Sequence, residues 1–396
     1  MLLHSCHTAF QALLRAALRP TPVSPRPPAI GACRRFATGD IKHEVVGTVG
    51  TYQSRKKNGW KFDFAGTSMT TNLYSPSFYA RPDWTSSAAE AAFDNPALAG
   101  KIKLRSIALG DTMSFLGDQL LVTVGARHQA LRVDDWSVQT GAQTAHYDQS
   151  RVSPMAGVVY KLQNNLSLYA NYIEGLSQGE TAPATSNNVA VTNAGQSLKP
   201  YVAKQKEVGL KYDLGNTIVA ATLFSTDKPR AYVNSANTFV AAGKDRHQGL
   251  ELTVQGEPIK HLRTLGGITF LDAKQRSTGS ATTDGKRVIG VPKHQLSMAL
   301  DWDTPWVEGL SLDTRVLYTG SVKANSTNTL EAPAWTRLDI GARYLLDVQG
   351  KLVTLRARID NVADRKYWAS SGGYPGAGYL VQGAPRTFSL SASFDF

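Results

Sequence analysis

One short segment of the chain has the residue types and the spacing of a nucleophilic catalyst. Gly175, Ser177 and Gly179 satisfy the G-x-S-x-G pattern, in which a tight turn between a strand and a helix exposes a reactive serine. The residues that follow Gly179 are rich in Thr, Ala, Asn and Ser and include Pro, so they predict a loop instead of the required helix. We therefore interpret the match as a coincidence.

Metal and nucleotide chemistry also have recognisable spacings, and the sequence lacks both. The eight histidines show no H-E-x-x-H motif and no other metal-ligand spacing. The segment 279–286 deviates by one residue from the spacing of a P-loop and lacks the Ser or Thr that follows its lysine. The two cysteines are Cys6 and Cys33, so no disulfide or thiolate site is expected further along the chain. The sequence predicts no enzyme, no catalytic residue, no metal held by the protein and no cofactor.

The net charge of +12 raises the question of a nucleic-acid partner. The basic residues are scattered, and the one tight cluster, formed by Arg55, Lys56 and Lys57, falls in a predicted short turn. A phosphate-binding surface needs basic residues that are clustered on one face. We interpret the charges as exposed to solvent or to the wet interior of the fold predicted below, and we predict no nucleic-acid partner.

From residue 43 onward, many segments of the chain alternate between apolar and polar residues with a period of two. At the C-terminus Phe388, Leu390, Phe394 and Phe396 alternate with polar residues, and similar segments recur from residue 43 onward. Successive side chains of a strand point to opposite faces, so each strand has one apolar face and one polar face. The segments have about the ten-residue length of a tilted strand that crosses a bilayer. The sequence contains no stretch of about 18 apolar residues, so it predicts no transmembrane helix.

The connections between the predicted strands alternate strictly between short turns and long polar loops. Short turns are predicted at 55–57 and 257–260, for example, and long loops at 69–99 and 275–291. Transmembrane barrels have short periplasmic turns and long extracellular loops, whereas a soluble sandwich has no reason to keep this order. We therefore predict an all-β fold, a transmembrane antiparallel β-barrel of about fifteen strands.

The odd number of predicted strands indicates that part of a barrel is missing. The first three strands are predicted at 43–54, 58–68 and 100–114, and the last at 386–396. Bacterial barrels that consist of one chain have an even number of strands, with both chain ends on the periplasmic side. We therefore expect a truncated barrel.

The first 39 residues differ in composition from the rest. Residues 1–39 contain five Arg, no acidic residue, and five Pro between Pro20 and Pro28. A targeting peptide is one interpretation of this composition. We favour an unrelated or non-native segment that is disordered, followed by the partial barrel at 40–396.

Several segments resemble those of TonB-dependent siderophore receptors, and they occur in the order found in that family. The segments are 122–129 (VTVGARHQ), 165–172 (NLSLYANY), 206–211 (KEVGLK), 246–252 (RHQGLEL), 291–295 (VPKHQ) and 361–367 (NVADRKY). The aromatic terminus resembles the signal that the barrel-assembly machinery reads in this family, and Phe388, Phe394 and Phe396 are its candidates. The resemblance covers about 350 residues of the chain.

The resemblance implies a receptor and transporter for ferric siderophores in the bacterial outer membrane, where the chain contacts lipid. Family members have about 22 strands around an N-terminal plug, which carries the segment that contacts TonB. This chain shows no plug, so the TonB complex is expected as a partner only where a plug is supplied. Iron would arrive already chelated. A passive outer-membrane pore and a non-functional gene remnant are the alternative interpretations.

Two sets of residues are candidates for the function that the resemblance implies. Aromatic side chains in the long loops can hold a bulky chelate through ring faces and polar tips. They are Tyr74, Tyr79, Trp84, Trp136, Tyr147, Tyr374 and Tyr379. Charged residues on the polar face of the strands are predicted to face a wet lumen, because charges that face lipid are costly. They are Glu207, Lys211, Glu251, Arg343, Arg356, Arg358 and Asp360.

Overall fold

The computed structural model describes residues 29–59, 71–77, 95–374 and 377–394, and every regular element in them is a β-strand. In chain order the strands are β1 Ala29–Thr38, β2 Ile41–Asn58, β3 Ala97–Phe115, β4 Leu120–Trp136, β5 Gln143–Gln163, β6 Leu166–Ser177, β7 Thr185–Ser186, β8 Val189–Ala190, β9 Tyr201–Asp213, β10 Thr217–Val233 and β11 Phe239–Ile259. They continue with β12 Leu262–Arg276, β13 His294–Asp303, β14 Leu310–Thr319, β15 Val322–Lys323, β16 Glu331–Ala332, β17 Trp335–Val348, β18 Lys351–Asp360, β19 Trp368–Tyr374, β20 Ala377–Gln382 and β21 Thr387–Phe394.

Fifteen of these strands form one antiparallel sheet in which each strand pairs with the next along the chain. The sheet order is β1-β2-β3-β4-β5-β6-β9-β10-β11-β12-β13-β14-β17-β18-β21. The other six strands form three small hairpins within the long connections of this sheet. The predicted all-β antiparallel architecture is confirmed. Among the described residues β1 and β21 are the outermost strands of the sheet. No helix in them has the length and apolarity of a membrane span.

The two faces of the sheet differ in polarity. Directly opposed residues in antiparallel strands lie on the same face. The register pairs Val208 with Leu223 and Leu223 with Leu250, and large apolar side chains on this side are exposed. We call it the apolar face. The opposite side, the polar face, carries Glu207 and Glu251.

The connections at one end of the strands are all short, as the sequence predicts, and those at the other end are long except 137–142 and 234–238, where the strands extend into residues predicted as loops. Short turns such as 349–350 lie at one edge, and long connections such as 178–200, 277–293 and 361–386 lie at the other. Gln349 and Gly350 both have positive φ, which is the backbone of the two-residue turn that matches the twist of a hairpin. We call these two sides the short-turn edge and the long-connection edge.

Two predictions for the N-terminal part are wrong. Residues 29–38, which we expected to be disordered and unrelated, form strand β1 and pair along their whole length with β2. The predicted turn at 55–57 is part of β2, which pairs with β3 as far as Asn58. The first two strands are therefore β1 and β2, and β2, which covers the predicted strand 43–54, pairs directly with β3. Residues 1–28 and most of the predicted strand 58–68 lie outside the described residues.

Full burial is rare because a single sheet has no second layer to pack against. Buried apolar side chains form three small clusters where connections fold over the long-connection edge. They are Leu131, Val133 and Tyr147; Ala182, Val191 and Phe239; and Val322, Ala332 and Trp368. The third cluster lies at the candidate site, because Val322 and Trp368 belong to both.

The two edges of the sheet are expected to lie on opposite sides of a membrane. An epitope tag inserted after Thr282, in a long connection, should bind antibody on intact cells because long connections are extracellular in such barrels. A tag after Lys260, in the turn between β11 and β12, should bind antibody only after the cells are permeabilised. Antibody binding in the reverse pattern would show that the strands run the other way.

Candidate ligand-binding site

Two groups of charged residues cross the polar face between β12 and β18. The first lies near the short-turn edge. There Arg263 donates to Asp303 at 2.8 Å, and Arg343 donates to Ser311 at 2.9 Å and lies 3.5 Å from Asp301. These ion pairs are partly exposed, so each contributes about 1 kcal/mol or less to stability. They join neighbouring strands and are not themselves a pocket.

The second group lies nearer the long-connection edge and is centred on Arg358. Its guanidinium donates to Asp313 at 2.9 Å and to Asp360 at 2.8 Å, and it lies 3.6 Å from Asp339. The Asp313 carboxylate lies over Gly341, where any Cβ would collide with it. Carboxylates from β14, β17 and β18 therefore share one cation.

Asp339 links this group to the connection that follows β18. Its side chain is 0% exposed; it accepts hydrogen bonds from Arg337 at 2.8 Å and from the backbone N–H of Asn361 at 2.8 Å. Asn361 in turn donates to the carbonyls of Arg365 and Ala384, and it accepts from the Arg365 N–H. One asparagine thus fixes both ends of the connection 361–386.

A cavity of about 420 Å³ opens beside this anchored connection. Its volume is within the usual range for small-molecule sites. It is lined by Gly290, Pro292, Gln295, Leu296, Ser297, Arg315, Leu317, Thr319, Gly320, Val322, Pro333, Trp335, Arg337, Tyr367, Trp368, Ala369 and Ser370. Strands β13, β14 and β17 thus form its floor, and three long connections form its rim.

Aromatic rings form one wall of the cavity. The rings of Trp335 and Tyr367 lie 4.3 Å apart between centroids, at 35° to each other. Tyr367 is buried, and its hydroxyl accepts a hydrogen bond from Arg337 at 3.3 Å. Trp368 is also buried, and its indole N–H donates to the carbonyl of Leu73 at 2.6 Å. Trp335 is only half-buried, so its ring can still contact a ligand.

Two arginines supply positive charge to the floor. Arg315 is exposed and has no hydrogen-bond or ion-pair partner among the described residues. Arg337 pairs with Asp339, but its buried Nε has no partner among the residues that the structure describes. Guanidinium groups bind carboxylate and other anionic oxygens through several N–H donors. Among the described residues the cavity therefore combines one exposed arginine without a partner, Arg315, with an aromatic surface.

Buried hydrogen bonds hold the rim together. Gln275 is fully buried; it accepts a hydrogen bond from Arg230 and donates to the carbonyls of Arg287 and Ser326. Gly290 donates to the carbonyl of Lys323 at 2.9 Å. These contacts join the connection 277–293 to the connection 320–334.

An ion pair also stabilises the connection 320–334. In the hairpin of β15 and β16, the Lys323 ammonium holds the pKa of the Glu331 carboxyl below its usual value, with a smaller contribution from Ser321. Glu331 therefore stays ionised and paired at neutral pH.

Comparison with known proteins identifies the family. A family model described as TonB dependent receptor-like, β-barrel, matches residues 23–362. The chain belongs to the TonB-dependent receptor family.

The relatives of this receptor chain include curated siderophore receptors. The ferrichrome receptor FcuA of Yersinia enterocolitica is 33% identical over 363 residues, which cover 91% of this chain and 47% of FcuA. The probable TonB-dependent siderophore receptor PiuA of Acinetobacter baumannii is 25% identical over 390 residues, with 91% and 51% covered. The chain spans about half the length of these curated relatives.

A solved structure gives the same result. The crystal structure of BauA, the ferric preacinetobactin receptor of Acinetobacter baumannii, is 33% identical in sequence to this receptor chain and superposes with a TM-score of 0.73. The match covers 93% of this chain and 53% of BauA. The sheet therefore has the curvature and connectivity of part of a TonB-dependent receptor barrel.

The structure places the predicted loop aromatics of this receptor chain in different surroundings. Tyr147 is 2% exposed, and its hydroxyl accepts the N–H of Gly179, so it packs the loop base and does not face a ligand. This corrects the prediction for Tyr147. Tyr74 and Tyr379 are exposed, and Trp136 is half-buried at the end of β4.

Three predicted aromatics cannot be placed. Tyr79 and Trp84 lie outside the described residues, as does the side chain of Tyr374. None of the four predicted aromatics whose side chains the structure describes lines the cavity. Their contact with a ligand stays a prediction.

The predicted lumen charges all lie on the polar face. Arg343, Arg358 and Asp360 belong to the two charged groups, while Glu207 accepts a hydrogen bond from Asn171 at 2.8 Å. Lys211, Glu251 and Arg356 occupy the same face by register. Phe388 and Phe394 are exposed on the edge strand β21, and Phe396 lies outside the described residues.

The prediction of ligand residues missed Trp335 and Arg337, which line the cavity. Trp335 is the first residue of a strand, so it is not among the loop aromatics that the sequence offers as ligand candidates. The N-x-x-D-x-x-Y segment at 361–367 did contain a usable signal, because Asn361 and Tyr367 both support the site.

Proposed function

We propose that this chain forms part of the wall and part of the ligand-binding surface of an outer-membrane receptor that takes up ferric siderophores. The observation that carries the proposal is the cavity at the long-connection edge, where Arg315, which has no partner among the described residues, and Arg337 line a space beside an aromatic wall. The relatives support it, since those named above are siderophore receptors.

The apolar face supports a location in a membrane. Leu223, Leu390 and many other large apolar side chains on it are exposed, which would cause aggregation in water but is the usual surface of a barrel in lipid. The polar face then lines the wet interior. In this proposal Phe388, Phe394 and Phe396 present the aromatic terminus to the barrel-assembly machinery.

The ligand chemistry follows from the donors in the cavity. A ferric siderophore is a bulky chelate with oxygen atoms at its surface, and iron that is already chelated requires no ligands from the protein. Arg315 and Arg337 can donate to those oxygens, and the ring of Trp335 can contact the apolar part of the chelate. Transport through the barrel also requires a plug and the TonB complex that acts on it, and we propose these as partners of the whole receptor.

We expect the Arg315→Ala variant to bind ferric chelates about tenfold or more weakly, the usual effect of losing a central contact. The measurement is quenching of tryptophan fluorescence by ferrichrome and by a ferric tris-catecholate, with the chain in a mild detergent. The iron-free chelators are the ligand control. The Lys211→Ala variant removes a cation from the same face outside the cavity and should bind like the unaltered chain. Equal losses in both variants, or no saturable quenching by either complex, would contradict the proposal.

A further inference from the structure

A second basic surface lies on the other side of the sheet, on the apolar face. The register pairs Lys103 with Arg132, and Arg132 with Asp148. Arg105 lies two residues along β3 from Lys103, so both point to the same face. Together with Ala130 these residues line a shallow cavity of about 140 Å³. We call them the basic cleft.

The basic cleft continues directly into exposed apolar surface. Ile107, two residues beyond Arg105, is 60% exposed, and Leu109 is 62% exposed. Val152, which shares this face through its pairing with His128, is also exposed. Side chains two residues apart in a strand are about 7 Å from each other. The change from apolar to cationic surface therefore occurs over a single step along the strand, towards the long-connection edge.

The charges of the basic cleft are not balanced within the protein. Arg132 donates to Asp134 at 3.1 Å, and Asp148 is the one acidic residue that lines the cleft. Lys103 and Arg105 have no ion-pair or hydrogen-bond partner among the described residues. On the same face of β10 and β11, by contrast, Asp227 is already paired with both Lys244 and Arg246.

We propose that the basic cleft binds the phosphate headgroup of an anionic lipid in the outer leaflet, whose acyl chains lie on Ile107 and Leu109. The inference rests on the proposed placement of the apolar face in lipid. A basic cluster beside a membrane-embedded surface attracts phosphate-bearing headgroups. Lys103 and Arg105 meet the phosphate oxygens, and Arg132 closes the cleft. The adjoining apolar surface favours a lipid over free phosphate, because only a lipid contacts both.

The test compares lipid binding to the purified chain in detergent by native mass spectrometry. Phosphatidic acid should form a discrete adduct, and phosphatidylcholine of the same acyl length should bind at least tenfold more weakly. The Lys103→Gln/Arg105→Gln double variant should lose most of the phosphatidic acid adduct. The Lys211→Gln/Arg356→Gln variant makes the same change in net charge on the polar face and should keep it.

Three results would overturn the inference. They are equal loss in the two double variants, equal binding of the two lipids, and displacement of phosphatidic acid by inorganic phosphate at a similar concentration. A shift in gel mobility on heating checks that each variant is folded. Ferrichrome quenching should be unchanged in the Lys103→Gln/Arg105→Gln variant, so failure of this inference can be distinguished from failure of the proposed receptor function.

Discussion

The Asn361→Ala variant is expected to release the connection 361–386 from the sheet, with amide hydrogens in that connection exchanging at least a hundredfold faster. Asn361 is buried and has a φ of 55°, and its side chain makes three hydrogen bonds to the backbone of Arg365 and Ala384. Leaving buried backbone groups unpaired costs about 1–3 kcal/mol each, and alanine in the left-handed region costs about 1–2 kcal/mol more. A local loss of about 3 kcal/mol or more follows from these terms.

Hydrogen exchange measured by mass spectrometry tests this expectation. The Asn361→Gly variant loses the same side-chain bonds without the backbone strain, so it should lie between the alanine variant and the unaltered chain. Peptides from β9 and β10, far from the site, serve as the internal control. Unchanged exchange across 361–386 in the alanine variant would show that Asn361 does not anchor the connection.

The second large effect is expected at Gly290, where the connections 277–293 and 361–386 approach each other closely. Its φ is 73°, and a Cβ would collide with the carbonyl oxygen of Ser371 in the connection 361–386. The Gly290→Ala variant cannot keep both connections in place, because the obstacle is backbone and cannot rotate away. We expect overpacking and strain of about 3 kcal/mol or more in total. Ferrichrome affinity should fall about tenfold or more as the rim of the cavity moves.

Gly285 provides a matched control for this substitution. It lies in the same connection with a φ of 74°, and a Cβ there would meet nothing within 4 Å. The Gly285→Ala variant therefore carries only the backbone strain of about 1–2 kcal/mol and should bind ferrichrome almost normally. If the two variants lose affinity equally, the contact between Gly290 and Ser371 does not shape the cavity.

Much of the fold could be predicted from the sequence because a strand that separates lipid from water has to alternate in polarity. The alternation through Phe388, Leu390 and Phe394 is a local property of each strand, and so is the length of each connection. The wrong predictions concern segments in which the residues do not alternate in polarity. Residues 29–38 contain consecutive arginines, and the charged segment 55–57 looked like a turn. Beyond the apolar band a strand can carry charge on either face, so β2 continues through a segment that polarity alone would end.

The polar-face charges could also be placed in advance, for the same reason. Alternate residues of a strand point to opposite faces, so the position of Glu207 or Arg358 in its strand decides which face it lies on. The ion pairs could not be foreseen. Arg358 meets Asp313 and Asp339 because β14, β17 and β18 are neighbours with a particular register. A shift by one residue in either pairing would separate these groups and move them to the other face.

The sequence by itself determined the antiparallel strands, their two faces and the alternation of short and long connections, since each depends on neighbouring residues in the chain. Only the tertiary structure decided which side chains form a site. Trp335 and Tyr367 stack, Tyr147 is buried under Gly179, and Gly290 meets Ser371 through the docking of connections far apart in the chain. Such contacts depend on the packing of loops whose lengths and compositions constrain their paths only weakly. For that reason exposure of an aromatic loop residue could not be predicted, while the face of a strand residue could.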